Sequence, residues 1–354
     1  MGYLSSGEIF DFGTPQSLLT FKPLSLTDKI DFARSVLKMK REKSLDAMDK
    51  VSAVEWLTEH AGERVFNVLW KPLLIQKFGI AYLDVPMAWI WRKVHIREPS
   101  KKNIFSGEKL AYLDGSLRIL IDKLQEIVIS SGAELALSTK IKSINYNIKP
   151  GLQIITKKSN ERFDAVVSTV SPQILDKLVT FPGKFNTILR NYKQLSAICI
   201  MLVLDRQLTD YYWLNIGDNS FPFGLIVEHT NYLPPDKYNN RHIIYLSKYY
   251  DASHEKYDSF NDKKIVEYFL THLNRINKNF KRDWIEEVHV SRGKHAQPVI
   301  TKDYLSIKPN YTTTLPNLYW ISMNHIYPDD RGVNCSIQMA EDVCDVLSES
   351  ISNN

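Results

Sequence analysis

LYWISMNHIYPDDRGVNCSIQMAEDVCDVL, residues 318–347, is the stretch whose reading decides the fold. It opens on aromatic and β-branched residues, which predict a strand ending at Met323. A polar loop with Asp329, Asp330 and Arg331 follows, and Gly332-Val333-Asn334 then begins a helix. The first N–H groups of a helix lack intrahelical partners and carry partial positive charge, so they suit an anionic or electron-rich ligand edge. Gly332 has no Cβ and would let a ligand approach the backbone closely. The same strand–loop–helix can also close a sheet with no ligand present. The rest of the chain has to decide between the two.

Upstream, FDAVVSTVSP (163–172) holds a short apolar run, Ala165–Val170, that suits a buried strand of a parallel sheet, and Pro172 starts a helix. Before it, AELALSTKIKSINYN (133–147) and GLQIITKKS (151–159) read as strands, with turn residues at Asn147 and Pro150-Gly151. Glu108–Asp114 leads through Gly115 and Ser116 into an amphipathic helix, LRILIDKLQEIVISSG, which Gly132 ends. This order of helix, strand, hairpin and strand is half of a nucleotide-binding architecture.

The first hundred residues are helical and aromatic-rich. Pro23–Lys40 has a Ser/Thr start, an acidic first turn and a basic last turn. Asp49–His60 has helical spacing with Gly62 as its stop, and Pro72 should break or kink the helix that Gly79 ends. From Gln194 to Val290 the sequence is strand-rich, with a helix at KIVEYFLTHLNRIN (264–277). The predicted class is α/β with mixed α+β character. A nucleotide-binding domain over 105–175 and 296–354 interleaves with a cap domain over 1–104 and 176–295, built of helices and a mixed or antiparallel sheet.

With 44% hydrophobic and 24% charged residues, the chain has the composition of a folded soluble protein. A net charge of +5 over 354 residues is a solubilising surface and not the basic face of a nucleic-acid binder. The three cysteines have no metal-ligand spacing, and an odd number fits a reducing compartment better than a disulfide scaffold. The N-terminus is too polar for a signal peptide, and no apolar run approaches a membrane span. A cytoplasmic protein is expected, with peripheral membrane contact left open.

Taken together, residues 318–347 resemble the C-terminal flavin-binding segment of the superfamily of FAD-dependent amine oxidases, protoporphyrinogen oxidases and phytoene desaturases. YLDGSLRILIDKLQEIVISSGAELALSTKIKSI (112–144) resembles its Tyr-x-x-Gly-Gly helix and adenine-side strand. FDAVVSTVSPQIL resembles its next strand, and EWLTEHAGERVFNVLWKPLLIQKFG (55–79) resembles its cap helices. The segments occur in family order over nearly the whole chain. The resemblance implies an FAD-binding Rossmann-like fold and a small-molecule substrate, namely an apolar, isoprenoid-like or amine compound. It places Gly332, Val333 and Asn334 at the pyrimidine end of the flavin ring and Arg331 at the ring edge or ribityl-phosphate side. Ile141 would meet adenine through its backbone, with Ser168 and Thr169 near the dinucleotide. Two positions depart from the pattern: Gly115-Ser116 replaces Gly-Gly, and Met323-Asn324 replaces Gly-Asp, so Asn324 would take the acidic partner's place.

A third departure is larger. The dinucleotide fold binds pyrophosphate on a Gly-x-Gly-x-x-Gly turn in its first βαβ unit. None of the 14 glycines here has another two residues away, so the turn is absent from these 354 residues. Three explanations fit: a missing N-terminal segment of a longer reading frame, a partner chain that supplies the turn, or a degenerate paralogue that no longer binds flavin. In each case this chain alone should hold FAD weakly or not at all, with strand edges exposed.

Flavin carries the redox chemistry in such enzymes, so protein acids and bases are hard to name. Catalytic candidates are Lys294 and His295 in SRGKHAQPVI, and Glu228 and His229 in IVEHTN. Trp89, Trp91, Arg92 and Trp213 are candidates to line the substrate site. No metal site is expected. A flavin isomerase similar to UDP-galactopyranose mutase is the alternative, in which Arg92, Arg97, Arg241 and Tyr249 would hold a diphosphate. A non-catalytic interaction protein is the third reading.

Overall fold

A computed structural model of the protein describes residues 1–96, 111–146 and 151–352. Arg97, Asn147, Pro150 and the start of the Glu108–Asp114 segment lie outside the described residues. In chain order the strands are β1 (Gly2–Ser5), β2 (Glu8–Asp11), β3 (Ser143–Tyr146), β4 (Leu152–Ile155), β5 (Asn160–Phe163) and β6 (Val166–Ser168). They continue with β7 (Gln194–Leu204), β8 (Trp213–Ile216), β9 (Leu225–Glu228), β10 (His242–Tyr250), β11 (Ile285–Pro298) and β12 (Leu318–Trp320). The chain forms two compact units. One comprises Met1–Ile96, Tyr192–Pro309 and Met323–Arg331; the other comprises Arg97–Asn191, Asn310–Ser322 and Gly332–Asn354. Compactness therefore divides the chain at other places than the predicted 105–175 and 296–354.

The first unit is built on a seven-stranded sheet in the order β11-β7-β10-β9-β8-β1-β2. Its pairings are antiparallel except β1 with β8, which is parallel. Strand β7 alternates, so Ile198, Ile200, Leu202 and Leu204 share one face. That face buries against Ile265, Phe269 and Leu270 of the helix Asp262–Leu270.

A helical layer accompanies the sheet. The helix Leu26–Arg41 starts as its signals foretold, with a capping box between Ser25 and Asp28. The single helix expected over Asp49–His60 is instead two, Leu45–Lys50 and Ala53–Ala61. Tertiary pairing interrupts it: the Met87 N–H donates to Val51 O at 2.9 Å and the Ala53 N–H to Val85 O at 2.7 Å. Ser52 restarts the helix as an N-cap with Glu55, and Gly62 ends it at φ 85°.

Pro72 does not break its helix. The chain stays helical from Glu63 to Phe78 through a π-helical turn at Phe66–Trp70. Pro72 cannot donate to the carbonyl of Val68, and that carbonyl accepts the Tyr3 hydroxyl instead. A contact 65 residues away thus satisfies the acceptor that proline leaves open.

In the second unit, β6 and β12 form a parallel pair, with Leu318 opposite Val166 and Trp320 opposite Ser168. β12 ends at Trp320 and not at Met323, and residues 323–325 form a 3₁₀ turn. Tyr319 and Ile321 pack with Val343 of the long helix Val333–Ser352. Strands β3, β4 and β5 form an antiparallel meander. Among the described residues 133–146 of the expected strand, only Ser143–Tyr146 is one. The alternating Leu135 and Leu137 are exposed, and a strand needs neighbours to pair with. The mixed α/β class expected from the sequence is the class observed.

Candidate functional site

In the first unit the residues with chemistry converge on the loop Met323–Arg331. Asp49, at the end of the helix Leu45–Lys50, accepts the Tyr327 hydroxyl and the Leu305 N–H, the latter at 3.0 Å. The Tyr304 and Tyr327 rings lie 4.9 Å apart, and the Tyr304 hydroxyl donates to Asn324 O at 3.0 Å. Gln194 Nε2 donates to Asn324 Oδ1 at 3.1 Å. Asn324 is fully buried, so its amide helps to hold the loop.

This frame presents an ionic cluster. The helix Met87–Ile96 places Trp89, Arg92 and Lys93 on one face, because residues three and four apart are neighbours there. Arg92 Nε meets Asp329 at 2.7 Å, and Lys93 Nζ meets Asp330 at 2.7 Å while lying 4.3 Å from the centre of the Trp89 ring. Lys77 Nζ reaches Asp330 at 3.2 Å, and Arg331 bonds to the Tyr249 hydroxyl. Four cations thus surround two carboxylates.

Burial pushes the Lys77 ammonium down to about 8, with Arg331 and Lys93 adding to the effect and Asp330 opposing it. Burial raises the Asp330 carboxyl, but Lys77 and Lys93 outweigh it and hold the group below its ordinary value. Asp329, Asp330 and Arg331 of this cluster line a narrow cleft together with Trp89, Gln297, Pro298, Ile300, Met323 and Ile326. Gln297 is buried; its Nε2 donates to Pro298 O at 2.9 Å, while its Oε1 has no hydrogen-bond partner. An unpaired buried acceptor is costly unless a donor reaches it.

In the second unit, Ile141 sits just before β3, and Ser168 is buried at the end of β6, its carbonyl accepting from Ile321 N at 2.9 Å. Thr169 is exposed. Val333 and Asn334 are exposed at the start of the helix Val333–Ser352. A Cβ on Gly332 would lie 2.6 Å from Asn334 Oδ1, the end of a movable side chain, so the local fold does not itself demand glycine.

Other candidates stand elsewhere. Trp91 turns into the helical core, its Nε1 donating to Glu42 O at 3.0 Å. Trp213 is half-buried on β8 and bonds to Asn215. Glu228 is fully buried and accepts from Leu208 N, Thr209 N and Thr209 Oγ1; it closes a loop and is not on the lining of the Trp89 cleft. His229 pairs with Tyr238 at 2.8 Å. Lys294 is exposed beside a register shift in β11, next to half-buried His295. Of the proposed diphosphate ligands, Arg241 pairs with Glu286 and Glu287 just before β10, whereas Tyr249 is near its far end. Eight residues of strand hold them roughly 26 Å apart.

Lys77, Lys93 and Gln297 were not foreseen. Lys93 carried a signal, four residues after Trp89. Lys77 carried none, since its partner Asp330 is 253 residues away. Among the described residues, no group of three or more His, Cys, Asp or Glu could hold a metal ion, and no helix is long and apolar enough to cross a membrane.

This architecture is that of flavin-dependent oxidoreductases and their relatives. A putative protoporphyrinogen oxidase from Exiguobacterium sp. 255-15 superposes with a TM-score of 0.65 at 16% identity, over 91% of this chain and 75% of its own. A putrescine oxidase matches with a TM-score of 0.60 at 14% identity, over 92% of this chain and 75% of its own. A reduced UDP-galactopyranose mutase matches at 0.57 and 14% identity, over 80% of this chain and 63% of its own. No curated protein matches the sequence. The model of the flavin containing amine oxidoreductases matches residues 7–329, and the chain belongs to that family.

Proposed function

We propose that the chain is the substrate-binding and ring-side part of an FAD-dependent oxidoreductase, an oxidase or desaturase acting on a largely apolar substrate that carries no positive charge. The family match over residues 7–329 carries this reading, since the fold alone serves several chemistries. Flavin, when bound, accepts the substrate's electrons. The chain's own residues suit one end of that cofactor better than the other. The helix start at Val333 offers unpaired N–H groups to a ring edge. For the pyrophosphate there is no Gly-x-Gly turn in the 354 residues.

The substrate class follows from the cleft. Its lining joins apolar Trp89, Pro298, Ile300, Met323 and Ile326 to Asp329, Asp330 and Arg331; Lys77, Arg92 and Lys93 pair with the two carboxylates from behind, so that the four cations outnumber them. A protonated amine approaching that cluster would meet net repulsion. Among the family's substrates this favours a porphyrinogen-like or isoprenoid-like compound over a diamine, at a site inside the cell and in reach of a membrane surface.

The test is anaerobic bleaching of flavin absorbance. Native protein saturated with FAD is mixed in turn with a porphyrinogen, a polyene precursor and putrescine. Bleaching by an apolar substrate is expected. Bleaching by putrescine alone would overturn the substrate class, and no bleaching by any of them would overturn the activity.

A further inference from the structure

Gln297 is a neutral amide in a cleft whose other polar groups are charged. Asp329, Asp330 and Arg331 on the same lining are held by ion pairs and hydrogen bonds, and the remaining lining residues are aromatic or apolar. Gln297 is only 5% exposed. Its Nε2 donates to Pro298 O at 2.9 Å, and a carbonyl can only accept, so this contact fixes which end of the amide is the oxygen. Oε1 is thereby left without a hydrogen-bond partner among the described residues. The end of β11 delivers the side chain. Its register against β7 shifts between Gly293, opposite Ala197, and Gln297, opposite Leu195, so that four steps along β11 match two along β7. Bulges of this kind re-aim side chains and recur beside ligand sites.

We propose that Gln297 is a specificity-determining residue whose Oε1 accepts a pyrrole- or indole-type N–H from an otherwise apolar substrate. The inference rests on the proposed function, because it takes this cleft as the substrate site. A buried acceptor left unpaired is costly, so a ligand that brings a donor is favoured over one that does not. The surroundings select the kind of donor. A protonated amine brings donors but meets the surplus of cations. A hydroxyl brings a donor together with lone pairs that apolar walls leave unsatisfied. A pyrrole or indole N–H donates and has no acceptor of its own, and its ring suits an apolar wall. A hydrocarbon polyene fits the walls and leaves Oε1 unpaired. Oε1 is itself buried, so a ligand reaches it by displacing a wall. Met323, unbranched, flexible and only half-buried, is the wall residue best able to move.

Isothermal titration calorimetry of the purified protein tests this with three probes: an alkyl dipyrromethane, its N,N′-dimethyl derivative and a hydrocarbon polyene of similar size. The native protein should bind the N–H form roughly tenfold more tightly than the N-methyl form, a difference of about 1.4 kcal/mol. In Gln297→Leu that advantage should vanish, while affinity for the N-methyl form and the polyene holds or rises. A purely structural role would weaken all three probes alike and would overturn the proposal. So would an undiminished preference in the variant, which would mean that the added methyl merely clashes. Equal affinities in the native protein, or no binding of the dipyrromethane, would overturn it without recourse to the variant, since Oε1 would then meet only water. Flavin bleaching separates this role from the activity. A preference for N–H with no bleaching by any substrate would sink the oxidoreductase and keep the role of Gln297. Bleaching by a polyene precursor, with no preference for N–H, would do the reverse.

Discussion

Glu228 shows how a buried carboxylate can be held for structure. Burial raises it to about 7, while bonds from Leu208, Thr209 and its hydroxyl pull the other way. The folded state therefore binds more protons than the unfolded state between 4.5 and about 7, and stability falls as pH rises across that window. Glu228→Gln should flatten this slope, which is worth about 3 kcal/mol at about 1.4 kcal/mol per pH unit. Urea titrations at pH 5 and pH 7.5 measure it, and an unchanged slope would contradict the assignment. Lys77 is the opposite case, a cation pushed down to about 8. Its ζ-nitrogen, followed by NMR, should titrate near there, and lower still in Asp330→Asn, where a favourable neighbour is lost. A midpoint at the ordinary lysine value would mean that the cluster is open to water.

At the scale of elements, helix caps were legible and helix interruptions were not. Ser25 with Asp28 announces a helix start locally, because its hydrogen bonds close within four residues. Ser52 with Glu55 carries the same signal, but the break before it is set by pairing with Val85 and Met87. Ser52→Ala should cost about 1 kcal/mol through the lost cap. Packing decides larger effects. Ile200→Ala, in the core face of β7, should cost about 2–5 kcal/mol. Ile121→Lys on the exposed helix Arg118–Ser130 should change the stability of the isolated chain by no more than about 0.5 kcal/mol. Thermal melts of the two variants side by side check this, and a large loss in Ile121→Lys would show that something covers that face. The strand expected at 133–142 failed for a related reason, since alternation makes a strand only where a neighbour pairs with it.

For the whole molecule, the family and the mixed α/β class could be read from four weak motifs in order. The ionic cluster at 323–331 could not. It is assembled from the helices Lys71–Phe78 and Met87–Ile96, from β10 and from a loop more than 230 residues further on. No local pattern records such convergence. What composition did record is an absence: without paired glycines, backbone donors cannot wrap a pyrophosphate in the usual way. The central claim is that this chain serves the ring end of the cofactor and not its phosphates. It is tested most directly by titrating the purified 354-residue chain with FAD and with riboflavin, following flavin fluorescence. The account expects weak binding of both, with affinities within about threefold, or about 0.7 kcal/mol. FAD binding a hundredfold tighter than riboflavin would contradict it, because these residues would then be holding the pyrophosphate themselves.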